Sequence, residues 1–305
     1  MLTVTLVATL AAAALWQQWR GVEVERAERG RIQSSWILTG ALDLSRLFLR
    51  QDARSGNGPA GTADLLSTPL AETPLSTFLS QDASADGEEA YMSGQITDAQ
   101  SRLNVMNLVD ASTHKLSAPA HRAFAKLFAL VGVPLEQLAL LEQNLLLATA
   151  LSSDPGVPLL PQRVQELTWL GLAPASLHWL KPYVTVLPEA TPLNLNSASA
   201  EVIYANFPQL ELSDARRLVQ QRQGNAIPNL NEVERRVGSI TGAAPYDVST
   251  SYFEVHARLR LDSAVVEEVA LVQRVGQQDP ITLWRQRGVS ESLVGSADPT
   301  IPSNP

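Results

Sequence analysis

The sequence predicts an α+β fold: a long N-terminal helix on a small antiparallel sheet, with a large all-helical insertion between strands. Three observations predict it. The first nineteen residues, MLTVTLVATLAAAALWQQW, carry no charge, and the helical pattern continues past them to Asp52. One short strand, Gly94 to Ala99, stands apart and cannot be stable without partners. Its partners must come from the alternating stretch after Pro245, beyond a Leu-rich helical block.

The chain has 305 residues, 45% of them apolar and 18% charged, which suits a folded protein with a real core. A net charge of -8 and a pI near 5.1 argue against a body that coats nucleic acid. Cysteine is absent, which excludes disulfides, thiol chemistry and Cys–zinc sites.

Residues 1–19 would span roughly 28 Å as a helix, just short of a hydrocarbon core. A signal peptide cut near Ala11–Ala14 would want a basic start, and a buried core helix seldom opens a chain. A membrane-spanning segment is therefore expected. Residues 20–54 continue as an amphipathic stem, with Glu25 and Arg29 forming an i,i+4 pair. Gly30 and Gly40 weaken that helix, but no proline interrupts it before Pro59. Leu38, Leu42 and Leu49 recur on one stripe, and Ile37, Ala41, Leu44 and Phe48 broaden it. That is more apolar surface than one sheet requires. Ile37, Leu38, Ala41, Leu42, Phe48 and Leu49 are thus the expected partner interface.

Residues 55–109 hold a Gly-rich linker at 55–63, an acidic loop and the first strand. In the loop, Asp82, Ser84, Asp86 and Glu88 set oxygen side chains at alternate positions around Gly87, a candidate calcium loop. Ser93 stands where an EF-hand needs its bidentate Glu, so this is no EF-hand, and a mobile acidic loop is the competing reading. Residues 110–242 read as short helices separated by prolines. Ser117 caps the first, with Pro119 in its first turn; Asn196 or Ser197, Ser213 and Asn231 are expected to cap three later ones. In residues 243–288 Phe253, Val255, Ala257, Leu259 and Leu261 share one face of a strand. Val265–Val275 and Ile281–Gln286 follow as strands, and 289–305 reads as a disordered tail.

Catalytic signatures are missing: no G-x-S-x-G, no P-loop and no H-E-x-x-H. His114, His121, His178 and His256 are scattered, so no enzyme is expected.

The stretch GQITDAQSRLNVMNL resembles the G-x-I-x-D-x-x-G-R-F-N-L-N-x-L motif of type II secretion system protein K, the large minor pseudopilin. Gly94, Ile96, Asp98, Arg102, Asn104, Asn107 and Leu108 stand in register; Ser101, Leu103 and Met106 depart from it. LNLNSASAEVIYANFPQLELSDARRLVQQRQ resembles the family's helix-hairpin-helix-like part, and SYFEVHARLRL its closing strands. The resemblance implies a pseudopilin-like fold anchored once in the inner membrane of a Gram-negative bacterium, with a periplasmic body. It implies a cap on the pseudopilus tip, in complex with proteins I and J, supporting export of folded proteins. No small-molecule substrate and no nucleic acid are implied, no cofactor is required, and calcium is known among relatives. The family's basic leader is not found before Leu2, so the sequence is expected to begin late.

The alternative is a membrane-anchored helix-hairpin-helix protein for DNA uptake. It would need a Gly-rich turn that lets backbone amides reach phosphate. Phe207 to Ser213 contains no Gly and places Glu211 there, although Arg216, Arg217, Arg222, Arg235 and Arg236 are nearby.

Overall fold

A single uninterrupted helix, α1 (Leu2–Ser55), opens the chain. Its 54 residues make a rod roughly 80 Å long. The computed structural model describes residues 2–55, 69–77, 90–150, 156–238, 241–261, 264–276 and 278–288. The calcium-loop candidates Asp82, Ser84, Asp86 and Glu88 lie outside the described residues, as do most of the linker and the tail from 289. Among the described residues no helix is long and apolar enough to cross a membrane. Residues 2–19 of the expected span are helical.

From Thr3 to Arg29 α1 is exposed on every side, and its charges pair with each other, Arg29 reaching Glu25 at 3.2 Å as expected. From Ser34 onward one face meets a five-stranded antiparallel sheet. The strands are β1 (Leu70–Pro74), β2 (Ala90–Asp98), β3 (Tyr252–Leu261), β4 (Ala264–Gln273) and β5 (Ile281–Gly288), arranged spatially in that order. β3 alternates as expected, with Phe253, Val255, Ala257 and Leu259 buried towards α1. Leu42 and Leu49 pack with Phe253, Val255, Ala270 and Val272, and Leu38 packs with Ala257 and Leu259. Each buried Leu contributes about 1.5–3 kcal/mol.

Charged side chains then fix the end of the rod. The Arg274 guanidinium is 2.7 Å from Asp52, lies over the Phe253 ring and donates to the Thr250 carbonyl. Arg50 pairs with Asp279, and Arg46 Nε donates to the Pro280 carbonyl. The C-terminal turns of α1 are thereby tied to the end of β4 and to the loop that follows it.

β2 and β3 are direct neighbours, with Asp98 opposite Phe253, yet residues 99–251 intervene. Among the described residues that insertion holds six α-helices: α2 (Ala118–Val131), α3 (Leu135–Thr149), α4 (Pro174–Leu180), α5 (Ala200–Asn206), α6 (Leu212–Gly224) and α7 (Leu230–Val237). One core unites them, drawing on residues from Leu103 to Val248 and including Phe124, Phe128, Leu141, Ile203 and Phe207. It therefore reaches beyond the expected 110–242 at both ends.

Three caps differ from expectation. Ser199 caps α5, with its hydroxyl accepting from the Val202 amide; Asn229 caps α7; and α6 begins after Glu211 without a side-chain cap bond. Asn196 and Ser197 are committed to tertiary hydrogen bonds and cannot cap. Ser117 precedes α2 with Pro119 in the first turn, as expected, although its hydroxyl makes no cap bond.

Gly94 shows why the paired strands tolerate no side chain there: an added Cβ would stand 2.9 Å from the His256 backbone oxygen. Replacing Gly94 with Ala must push β2 away from β3. A loss of about 1–3 kcal/mol is expected, measured by urea unfolding, with α1 helicity unchanged in circular dichroism.

Candidate functional site

Where the insertion leaves and rejoins the sheet, side chains from the outgoing segment bind the incoming one. Asp98, the last residue of β2, accepts from the Ser197 hydroxyl, from Asn194 Nδ2 at 2.7 Å and from the Gln100 amide. Gln100 donates to the Pro192 carbonyl and accepts from the Ser251 amide and the Thr250 hydroxyl. Asn104 donates to the Glu189 carbonyl and the Thr191 hydroxyl and accepts from the Leu187 amide. Asn107 brackets Thr191, donating to its carbonyl and accepting from its amide. Asn196 does the same between the Ile227 amide and the Ile227 and Val248 carbonyls. An amide side chain satisfies both a donor and an acceptor of irregular backbone, which explains why Asn and Gln populate the joint.

The motif residues Asp98, Arg102, Asn104 and Asn107 are thus brought together. Arg102 reaches back to Glu254 on β3 at 2.5 Å, and His256 Nε2 is 3.6 Å from the same carboxylate. Sequence reasoning missed Gln100, Asn194 and Thr250 and took Asn196 for a helix cap; clustered Asn and Ser around Asn194–Ser199 were the available signal.

Two carboxylates of the joint titrate in opposite senses. Burial would raise Glu254, but hydrogen bonds from His256 and Arg102, with their charges, hold it at about 2. Asp98 is raised above 3.8 chiefly by burial, against the bonds from Ser197, Thr250, Asn194 and the Gln100 amide. The partners that bond it are all neutral. Above the joint lies a cleft of about 940 Å³, bordered by Arg102, Glu254, His256, Arg163, Lys181 and Trp284. Among the described residues no three His, Asp or Glu side chains stand together as metal ligands.

The other histidines are dispersed. His121 contacts the buried Glu142, and His178 meets the Trp179 ring edge-on. Arginines near the hairpin are largely engaged: Arg217 by Asp214, Arg235 and Arg236 by Glu232, and Arg222 by the Leu195 carbonyl. Four of the five guanidinium groups are thus already bonded within the chain, though their charge is only partly neutralised.

The stem residues divide into two groups. Leu38, Leu42 and Leu49 are buried by the chain's own sheet, which corrects their expected place in a partner interface. Ile37 and Ala41 are half-buried at the edge of that contact, and Phe48 is exposed. The face opposite the sheet carries Trp36, which is 75% exposed, and Leu47.

Residues 193–255 match the family described as type II secretion system (T2SS), protein K. That segment carries Asn194, Asn196, Ser197, the helices α5–α7 and Glu254, so it holds the incoming half of the joint. In this part the chain is similar to type II secretion system protein K. Over 114 residues it is 33% identical to the Pseudomonas aeruginosa PAO1 protein of that name, covering 36% of this chain. The match spans about a third, 34%, of that relative's length. One chain of the crystal structure of the GspK–GspI–GspJ complex from the enterotoxigenic Escherichia coli type 2 secretion system shares the fold. The TM-score is 0.67 at 19% identity, covering 87% of this chain and 99% of that one.

The opposed carboxylates predict an acid signature. Glu254's contribution is present above its ordinary 4.5 and lost as pH falls through about 2. Asp98's is full below 3.8 and lost as pH rises through its raised folded value. Glu254→Gln should therefore cost about 2 kcal/mol at neutral pH and less in acid, whereas the deficit of Asp98→Asn should widen in acid. Urea unfolding across pH tests both.

Proposed function

We propose that this protein is a minor pseudopilin of a type II secretion system, joined to other minor pseudopilins at the pseudopilus tip. Single-pass anchorage in the inner membrane, with the body in the periplasm, belongs to the same reading. The observation that carries it is the two-faced stem: one face is covered by the chain's own sheet, and the opposite one leaves Trp36 and Leu47 bare. An apolar face uncovered along a helix packs against another helix or sheet. Proteins I and J of the system are the proposed occupants, since the GspK–GspI–GspJ complex contains a chain of this fold.

The sheet-facing and outward-facing stripes give separable tests. Trp36→Glu with Leu47→Glu should abolish co-purification with proteins I and J while leaving the unfolding midpoint within about 0.5 kcal/mol of wild type. Leu38→Asp should unfold the body, because it puts a carboxylate under the sheet. Retained co-purification of the double variant would place the interface elsewhere.

Confinement to the tip follows from mass. The insertion is far wider than the ~10–12 Å girth of the stem and would collide with a subunit stacked above it. Because Asp98 and Phe253 are neighbours across β2 and β3, a short Asn-Gly turn can replace residues 100–251. Crosslinking should then find the shortened subunit along the filament; confinement to the end would refute steric capping.

A further inference from the structure

The turn between α5 and α6 has an unusual occupant. Helix α5 ends at Asn206, and the carbonyl oxygens of Phe207, Pro208 and Leu210 converge on one point, partly open to solvent. At that point lies the ammonium of Lys126 from α2, at 2.9 Å, 3.4 Å and 2.9 Å from the three oxygens. Nζ also lies over the Tyr204 ring, 3.8 Å from its centroid. Phe207 itself is buried against Tyr246, so the turn is held by the core and not only by the lysine.

Three converging carbonyl dipoles and a π face make a pocket of negative potential at a helix C-terminus. Such a pocket selects a large, weakly hydrated monocation. Mg²⁺ demands near-octahedral oxygens at about 2.0–2.1 Å and surrenders water reluctantly. Potassium and ammonium accept carbonyl cages, as in potassium filters. We propose that this turn is a monovalent-cation site that the chain fills from within, with Lys126 as its tethered cation. The pocket comes from the α5–α6 turn and the charge from α2, so the cation joins two helices that the chain separates by about 80 residues. Occupied in this way, the Phe207, Pro208 and Leu210 carbonyls are already engaged and do not hold a cation that would bridge to an outside anion.

The proposal stands independently of the secretion function and is tested on thermal unfolding. Wild type, Lys126→Ala and Lys126→Arg, each as full chain, are melted in potassium, ammonium, methylammonium and choline chloride at matched ionic strength. Wild type should melt alike in all four. Lys126→Ala should fall by about 5 °C in choline and recover at least half of that in ammonium or potassium, because choline is too large for the cage. Lys126→Arg should be lowered without ammonium rescue, since a planar guanidinium fills the pocket without matching three converging oxygens. If Lys126→Ala folds only in ammonium or potassium, the site is supported still more directly. Equal loss in all four salts, failure to fold in every one, or the same salt pattern in wild type would overturn it.

Discussion

The structure depends on one topological constraint: two adjacent antiparallel strands are joined by a whole helical body where a tight turn would serve. β2 ends at Asp98 and β3 begins at Tyr252, side by side, so the chain must leave and return through one narrow gap. Backbone in such a gap is irregular, and its donors and acceptors would be buried without partners. The side chains of Asp98, Gln100, Asn104 and Asn107 supply those partners from the outgoing segment. Asp98 bonds from the sheet to Asn194 and Ser197, and Arg102 bonds back to Glu254, so hydrogen bonds hold sheet to insertion. Gln100, Asn104 and Asn107 tie the outgoing segment to groups between 187 and 192 or at 250–251. The apolar patch there is small: Ala99, Leu187, Tyr252 and Leu271, with Trp284 at its edge.

The joint also shows how one environment treats two carboxylates differently. Glu254 and Asp98 are both withdrawn from water, but the bonded cation, Arg102, belongs to Glu254. Burial raises both; His256 and Arg102 together reverse the shift in one case, and neutral donors fail to reverse it in the other. Burial therefore makes ionising Asp98 costly, whereas a hydrogen-bonded cation makes ionising Glu254 favourable. A polar joint of this composition holds orientation more than it adds stability, since every member must be satisfied at once.

Much of this is legible in the sequence, and the failures have physical reasons. The period of two in Tyr252–Leu261 identifies the buried face of β3 because one side of that strand meets α1. The isolated strand ending at Asp98 implies an insertion, since no strand is stable alone. Caps are misplaced around Asn194–Ser199 because several Asn and Ser residues there can cap a helix, and only tertiary contacts decide which one does. Asn196 reaches Ile227 and Val248, far along the chain, leaving Ser199 for α5. The surplus of apolar residues in the stem is plain in the sequence, but which stripe meets the sheet depends on the azimuth of α1. Arg274, Asp279 and Pro280 fix that azimuth, and they lie more than two hundred residues away.

That azimuth links the two halves of the molecule. Asp52, Arg50 and Arg46 hold the end of the rod against β4 and its flanking loop, while Leu38, Leu42 and Leu49 hold its flank against β3 and β4. With rotation fixed at both, Trp36 and Leu47 have one permitted direction, away from the sheet. The joint at Asp98 fixes the insertion to the same sheet. Rod, sheet and helical body are therefore ordered in series, and the bare stripe and the bulky insertion keep one relative orientation. The proposed role, meeting neighbours along the stem while blocking addition above it, requires that coupling, because a loosely hinged insertion could swing aside and admit another subunit.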